Sequence, residues 1–426
     1  MASSAEIPLW LAKHTSHSHI RSVYHTLADR EQQREIIRYL SKQSESARAA
    51  YSKQISRPPK LPLTPEISAH YSVAIASQPE NVYRNRYLDI EPYDRTRVVV
   101  GGPDQDKGKE RQETENMEDE DKGKYLNANW VRERFGGKWW IATQAPLPNT
   151  AHTFLSVFLH PIAAPPKHLC PHTRRSRIRT VVQLTKDVEG GRRKAHSYFP
   201  SQVGQSLIVA SDDDELGGGS SSALKVTLVR SRIVEEAHCI HSTISVVPIT
   251  HTSRNHTHTP DSSDEEDELE DDEDSYGTES QDSVTFNHML YTSWPDHGVP
   301  DPSHRASLLA FLHLVDSTNR DRTSVSPPDP DPDPPIVVGC SAGVGRSGSF
   351  IALSSLLRSF GFLPAPHSPE STLPPSPLGD LPSPLGEDLV AQEVDSLREQ
   401  RPGMVQRDQQ ILLIYEVLSA AFGNVA

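Results

Sequence analysis

The stretch from Ile336 to Leu353 constrains this chain more than any other. Ile336-Val337-Val338 reads as an apolar strand and Ser349-Phe350-Ile351-Ala352-Leu353 as a buried helix; between them runs Cys340-Ser341-Ala342-Gly343-Val344-Gly345-Arg346-Ser347-Gly348. Gly343, Gly345 and Gly348 permit a tight curl in which successive backbone N–H groups point inward and form an anion-binding nest. The helix that follows adds positive potential at its N-terminus. A cysteine opening such a loop has its thiolate stabilised by the same field. An arginine six positions on can offer a planar fork to two phosphoryl oxygens. A Walker-type nucleotide loop is excluded, because no Gly-Lys-Ser/Thr follows. The competing reading is a glycine-rich strand-to-helix turn with an incidental cysteine.

From about Asn81 to Glu416, strand-like and helix-like pieces alternate, which predicts an α/β core. Candidate strands are Trp139–Thr143, Thr180–Leu184, Lys225–Ile233 and Ile336–Val338. Five segments near 101–122, 211–222, 259–283, 323–334 and 363–387 are charged, Gly/Ser-rich or Pro-rich, and are expected to be disordered surface insertions. Ile20, Val23, Tyr24 and Leu27, then Ile36, Ile37 and Leu40, suggest helices with one apolar face up to about Tyr51, ended by the prolines at 58, 59, 62 and 65. These divide the chain into an N-terminal helical extension, 1–70, packed as a lid on a main domain, 71–426.

The net charge of −14 is local: Asp261 to Asp274 holds eleven acidic residues and no basic one, and without them −3 remains. A near-neutral folded part lacks the clustered basic face that nucleic-acid binding needs. Ser262-Ser263-Asp264-Glu265-Glu266 within this run could serve an acid-directed kinase, though a solvated spacer explains it as well. Three cysteines, Cys170, Cys239 and Cys340, are too few and too scattered for a disulfide framework or a zinc site. No signal pattern opens the chain and no long apolar run crosses a membrane, so a soluble intracellular protein is expected.

Other motifs follow in a set order: Asn85-Arg86-Tyr87-Leu88-Asp89-Ile90 with Pro92-Tyr93-Asp94, Tyr125-Leu126-Asn127-Ala128-Asn129, Thr143-Gln144-Ala145-Pro146-Leu147, Trp294-Pro295-Asp296-His297-Gly298-Val299-Pro300, and Arg398 to Gln410 containing Gly403-Met404-Val405-Gln406. With the cysteine loop, this series resembles the classical, phosphotyrosine-specific protein tyrosine phosphatase family over roughly residues 70–422. Asn85-Arg86-Tyr87 and Pro92 to Val98 look closest to fungal members that act on MAP kinases. The resemblance implies a highly twisted mixed β-sheet flanked by helices on both sides, the cysteine-phosphatase fold. It also implies a cytoplasmic signalling enzyme, with the nucleus as a second location, that acts on phosphotyrosine proteins without metal or cofactor.

The implied roles are specific. Cys340 is the nucleophile, Arg346 and the amides of Ser341, Ala342, Gly343, Val344 and Gly345 hold the phosphoryl group, and Ser347 donates to the sulfur. Asp296 protonates the departing phenolic oxygen, a poor leaving group without an acid. Tyr87 stacks on the substrate ring and sets a depth that phosphoserine cannot span; Asp89 anchors the substrate backbone. Gln406 and Gln410 orient the attacking water. Glu189 orients Arg346 and Lys194 meets the acid loop, although Asp187 to Lys194 also reads as a plain charged hairpin turn. The chain departs from the family at Gly339, where histidine is usual, and at His297, Leu88 and Arg407. Gly339 is expected to raise the Cys340 pKa somewhat. It also motivates an alternative, a pseudophosphatase that binds phosphotyrosine without turnover; a dual-specificity phosphatase and an acidic scaffold are the others.

Overall fold

Three β-branched residues in a row suit a strand buried on both faces, and Ile336–Cys340 (β11) is one. The computed structural model describes residues 7–14, 16–44, 61–101, 123–159, 169, 176–212, 222–250, 283–296, 298–328, 330–367 and 373–423. The strands preceding β11 are β1 (Arg97–Val100), β2 (Lys124–Arg132), β3 (Trp139–Gln144), β4 (Thr180–Gln183), β5 (Val188–Glu189), β6 (Arg192–Arg193), β7 (Ser206–Val209), β8 (Ser222–Val234), β9 (Cys239–Thr250) and β10 (Val284–Tyr291). Nine form one sheet in the order β1-β2-β3-β11-β4-β10-β9-β8-β7, while β5 and β6 make a separate hairpin. β3, β11, β4 and β10 are mutually parallel, and the flanking strands pair antiparallel. The mixed sheet expected from the sequence is therefore present.

The helices are α1 (Leu9–His14), α2 (His17–Ser41), α3 (Pro65–His70), α4 (Pro79–Val82), α5 (Ala151–Leu159), α6 (Arg305–Arg320), α7 (Gly345–Ser359), α8 (Leu389–Gln400) and α9 (Asp408–Gly423). Alternation along β11 distributes them. Ile336, Val338 and Cys340 face a core shared with α6, α7, α8 and α9, whereas Val337 points into a second core with Phe154, Leu155 and Phe158 of α5. Cys340 thus ends a central strand whose two neighbours are fixed by backbone pairing, and α7 starts five residues later.

α2 starts at Ser16, whose hydroxyl accepts from the His19 N–H at 3.3 Å. Its apolar residues Ile20, Val23 and Leu27 join the α6–α9 core, so the N-terminal helix and the main domain are built around one core. Charge fixes its register. Arg30 and Arg34, one turn apart, meet Asp395 and Glu399, one turn apart on α8: Arg30 Nη2–Asp395 Oδ2 2.8 Å, Arg34 Nη2–Asp395 Oδ1 2.6 Å and Arg34 Nε–Glu399 Oε1 2.9 Å. Burial would raise the Glu399 pKa, yet Arg34 and His70 hold the carboxyl well below its ordinary range. α2 carries both predicted apolar sets, Ile20 to Leu27 and Ile36 to Leu40, and only the tail of the predicted segment, from 45 to about 51, lies outside the described residues.

Two of the five expected insertions differ from the expectation. In 323–334, Val325 and Asp333 are buried, and Asp333 ion-pairs with the buried Lys138 and with Arg320. In 363–387, Leu363 and Leu385 are buried, Arg30 reaches the Gly379 carbonyl at 2.7 Å, and Ser376 donates to Glu399 at 2.7 Å. These proline-rich stretches lack regular elements but are seated by polar anchors contributed from elsewhere in the chain. The other three insertions, with Ser262, Ser263 and Cys170, fall wholly or almost wholly outside the described residues.

Candidate active site

The cysteine loop is built by turning its carbonyls outward. Ser341 O accepts from the Ala145 N–H (3.1 Å), Ala342 O and Gly343 O from the Arg401 guanidinium (3.1 and 2.9 Å), and Val344 O from the N–H groups of Val405 (3.2 Å) and Gly348 (2.8 Å). The N–H groups are left for the concave side, as an anion nest requires. Glycine is needed at 343, where φ is +70° and a Cβ would lie 2.2 Å from the Thr143 carbonyl oxygen. At Gly339 a Cβ would approach the same oxygen to 3.0 Å, so the residue before the cysteine lies tight against β3.

Cys340 is 6% exposed. Burial pushes its pKa up, but the Ser347 hydroxyl, the Arg346 charge and the N–H groups of Ser347 and Val344 outweigh burial and leave it below the ordinary thiol value. Ser347 Oγ is buried and has no conventional hydrogen-bond partner, so its donor is available to a sulfur anion. The Gly339 departure therefore does not abolish a lowered thiol pKa.

Arg346 is held on both prongs. Nη1 donates to Glu189 Oε1 (2.8 Å) and Leu184 O (2.8 Å), and Nη2 to Glu189 Oε2 (2.7 Å) and Pro295 O (2.9 Å). Glu189 is itself fixed by Thr185 Oγ1 and the Lys186 N–H, both at 3.0 Å. Burial would raise its pKa, and its bonds to Arg346 bring it below the usual value. Lys194 Nζ lies 3.0 Å from Asp296 Oδ1, which is 3.8 Å from Arg346 Nη2. The charged hairpin turn is present as β5–β6, and with the adjoining Lys194 it brings Glu189 to Arg346 and a lysine to Asp296.

Tyr87 stands at the rim, 36% exposed, and its hydroxyl meets Ser341 Oγ at 2.8 Å; Ser341 Oγ donates onward to Lys194 O at 2.7 Å. The segment carrying Tyr87 is held by the two core motifs. Arg86 N–H donates to Gln144 Oε1 (2.8 Å), its side chain binds Ala145 O and Pro146 O, and Asn85 Oδ1 accepts from Tyr125 and Asn127. Asp89 is exposed beside it. Gln410 is buried, and its carboxamide packs where a Cβ on Gly345 would come within 2.9 Å. Its Oε1 accepts from the Gln406 and Arg407 N–H groups at 2.9 and 3.2 Å, so it shapes the loop that presents the exposed Gln406 side chain. His297 lies outside the described residues.

Arg401 was not singled out from sequence. Fully buried, it also donates to Asn129 Oδ1 (2.7 Å) and Asn127 Oδ1 (2.8 Å). The alternation of Asn127 and Asn129 on one strand was a signal that both face the same side. Nothing local pointed to the arginine.

The sequence matches the family described as protein-tyrosine phosphatase over residues 81–362. Human receptor-type tyrosine-protein phosphatase eta is 28% identical over 278 residues, 65% of this chain and 14% of that protein. Rat tyrosine-protein phosphatase non-receptor type 2 is 27% identical over 350 residues, 82% of this chain and 58% of its own length. The chain thus spans much less than the full length of the curated relatives it matches. The catalytic domain of human protein tyrosine phosphatase non-receptor type 18 has a similar fold, with a TM-score of 0.53 at 19% identity over 97% of this chain and 99% of that one.

Proposed function

The chain belongs to the protein-tyrosine phosphatase family, and on that premise we propose that it hydrolyses phosphotyrosine in proteins through a cysteinyl-phosphate intermediate. The observation that carries this reading is the Arg346 fork, gripped by Glu189 and 3.8 Å from Asp296, at the mouth of a loop whose cysteine has a lowered pKa.

In the first displacement the Cys340 thiolate attacks phosphorus, forming the S–P bond as the P–O bond to tyrosine breaks. Loop amides and Arg346 hold the equatorial oxygens, and Asp296 gives its proton to the leaving phenolate. In the second, water attacks phosphorus, passes a proton to the Asp296 carboxylate, and Cys340 leaves as thiolate. Gln406 orients that water, and Ser347 donates to the departing sulfur. Tyr87 at the rim, tied to the loop through Ser341, sets a depth suited to a phenyl phosphate and speaks against phosphoserine and phosphothreonine.

This reading assigns the enzyme to intracellular signalling, in the cytoplasm and the nucleus, with tyrosine-phosphorylated MAP kinases as one substrate class on the strength of the Asn85–Val98 segment. Phosphate release from a phosphotyrosine peptide tests the activity, with Cys340→Ser as control. Binding without release would establish the pseudophosphatase instead, and equal release from a phosphothreonine peptide would remove the depth argument. A Cys340→Ser or Asp296→Ala trap that retains phosphorylated MAP kinase from a mixture of phosphoproteins would support that substrate class.

A further inference from the structure

Arg398 is buried, and among the described residues its guanidinium lies within hydrogen-bond reach of three backbone carbonyls and no carboxylate. Nε donates to Met404 O (2.8 Å), Nη2 to Val405 O (2.7 Å) and Nη1 to Leu27 O (2.7 Å). Two of these acceptors belong to the turn that presents Gln406; the third lies midway along α2, some 370 residues earlier in the chain. Burial makes this charge expensive, and its pKa is lowered accordingly. A plain helix-packing contact would not require a cation here.

What the cation holds is a strained residue. Val405 has φ +55°, a left-handed conformation that a β-branched side chain disfavours and that persists only where its surroundings enforce it. Val405 is fixed from both sides: its N–H donates to Val344 O of the cysteine loop and its carbonyl accepts from Arg398. Gly348 leaves room for this, since a Cβ there would lie 2.5 Å from Val405 N. Gln406 is the next residue. Arg398 is in turn located by α2, which reads α8 through the Arg30/Arg34 and Asp395/Glu399 rows flanking it.

We propose that Arg398 is a positioning residue that couples α2 to the glutamine loop, so that the N-terminal helix sets the rate of the second half-reaction, the hydrolysis of cysteinyl phosphate. This rests on the phosphatase reading above. The first displacement uses Cys340, Arg346, Asp296 and the loop amides; none of these touches Arg398, and the one link through Val405 reaches a loop carbonyl, Val344 O, that the Gly348 N–H also holds. The second needs Gln406 to hold a water in line with the S–P bond, and Gln406 depends on Val405.

The kinetic signature separates this from a merely structural role. Slowing only hydrolysis lowers kcat and KM by the same factor and leaves kcat/KM unchanged, because kcat/KM reports steps up to formation of the intermediate. With p-nitrophenyl phosphate, R398K in the full chain is expected to lose about tenfold in kcat with kcat/KM within about twofold of the parent. Rapid mixing should then show a burst approaching one nitrophenolate per enzyme. L27A, which loosens α2 without touching the site, should give the same pattern more weakly and carries the test if R398K does not fold. A parallel fall in kcat and kcat/KM without a burst, or no change in either variant, overturns the coupling. An inert parent enzyme overturns the phosphatase reading itself, and is told apart because no variant is then needed to see it.

Discussion

Glu189 and Arg346 form a two-pronged ion pair, with Oε1–Nη1 at 2.8 Å and Oε2–Nη2 at 2.7 Å. This fixes the plane of the guanidinium while leaving Nη2 turned toward Pro295 O and Asp296. A bidentate carboxylate defines orientation in a way that a lone contact does not. A short hairpin outside the main sheet, β5–β6, supplies that carboxylate, and Lys194 directly after it reaches Asp296.

Replacing Glu189 by Gln removes one charge and one acceptor from the fork. We expect kcat/KM for a phosphotyrosine peptide to fall by about 10- to 100-fold, roughly 1.4–2.7 kcal/mol of transition-state stabilisation. Inhibition by inorganic phosphate should weaken alongside it. An unchanged kcat/KM would show that the loop orients Arg346 without help.

The pH profile should report Ser347. Thiolate is the attacking form, so a lowered Cys340 pKa extends activity toward acid, and activity declines as pH falls through that pKa. Ser347→Ala removes the largest of the groups that lower it, so the acid limb should move to higher pH. A hydrogen bond to a charged group contributes about 1.5–3 kcal/mol, enough for the displacement to be resolved. The rate of Cys340 alkylation by iodoacetate against pH measures this directly, and coincident profiles for parent and variant would refute it.

Stability should depend on pH through His288. Its ring packs against Phe199 and Tyr198 and bonds Gln183 Oε1 at 2.9 Å. Burial, aided by His241, pushes its pKa from 6.5 down to about 3. The unfolded chain therefore takes up a proton near pH 6.5 that the folded chain refuses until about 3, so stability is full above 6.5 and declines as pH falls. Between pH 7 and 5 this one group should cost about 2 kcal/mol. Urea unfolding at both pH values measures the loss, and His288→Gln should reduce it by that amount. Equal losses in parent and variant would show that His288 titrates normally.

Much of the site was legible because its chemistry is local in sequence. The loop from Cys340 to Gly348 carries the proposed nucleophile, nest and fork within nine residues, and the stiff Trp294-Pro295 pair marks Asp296, the proposed acid. Glu189 was half-legible: its hairpin could be read, but its partner lies 157 residues away. Arg398 and Arg401 were invisible as anchors, since their acceptors are mainly backbone carbonyls, which carry no sequence signature. The proline-rich 323–334 and 363–387 misled for a related reason. Composition forecasts how much apolar surface a segment can bury, but not that Lys138, 195 residues from Asp333, supplies a buried partner.

Arg401 offers a test of that lesson. Its guanidinium holds the carbonyls of Ala342 and Gly343 outward and is braced by Asn127, 274 residues earlier in the chain, and by Asn129. Burial brings its pKa down to about 10, with Tyr125 and Cys340 opposing the shift, so the cation also lies within electrostatic reach of the thiolate. Arg401→Met keeps an unbranched side chain but strands two carbonyls and two side-chain oxygens. We expect a loss of about 3 kcal/mol or more in unfolding free energy, since each buried unpaired acceptor costs about 1–3 kcal/mol and some will relax. The nest should also open and the thiol pKa rise, so that below neutral pH Cys340 alkylation slows. Loss of stability with alkylation unchanged would make Arg401 a scaffold for the fold alone. Both effects together would show that the charge buried behind the loop also sustains the nucleophile in front of it.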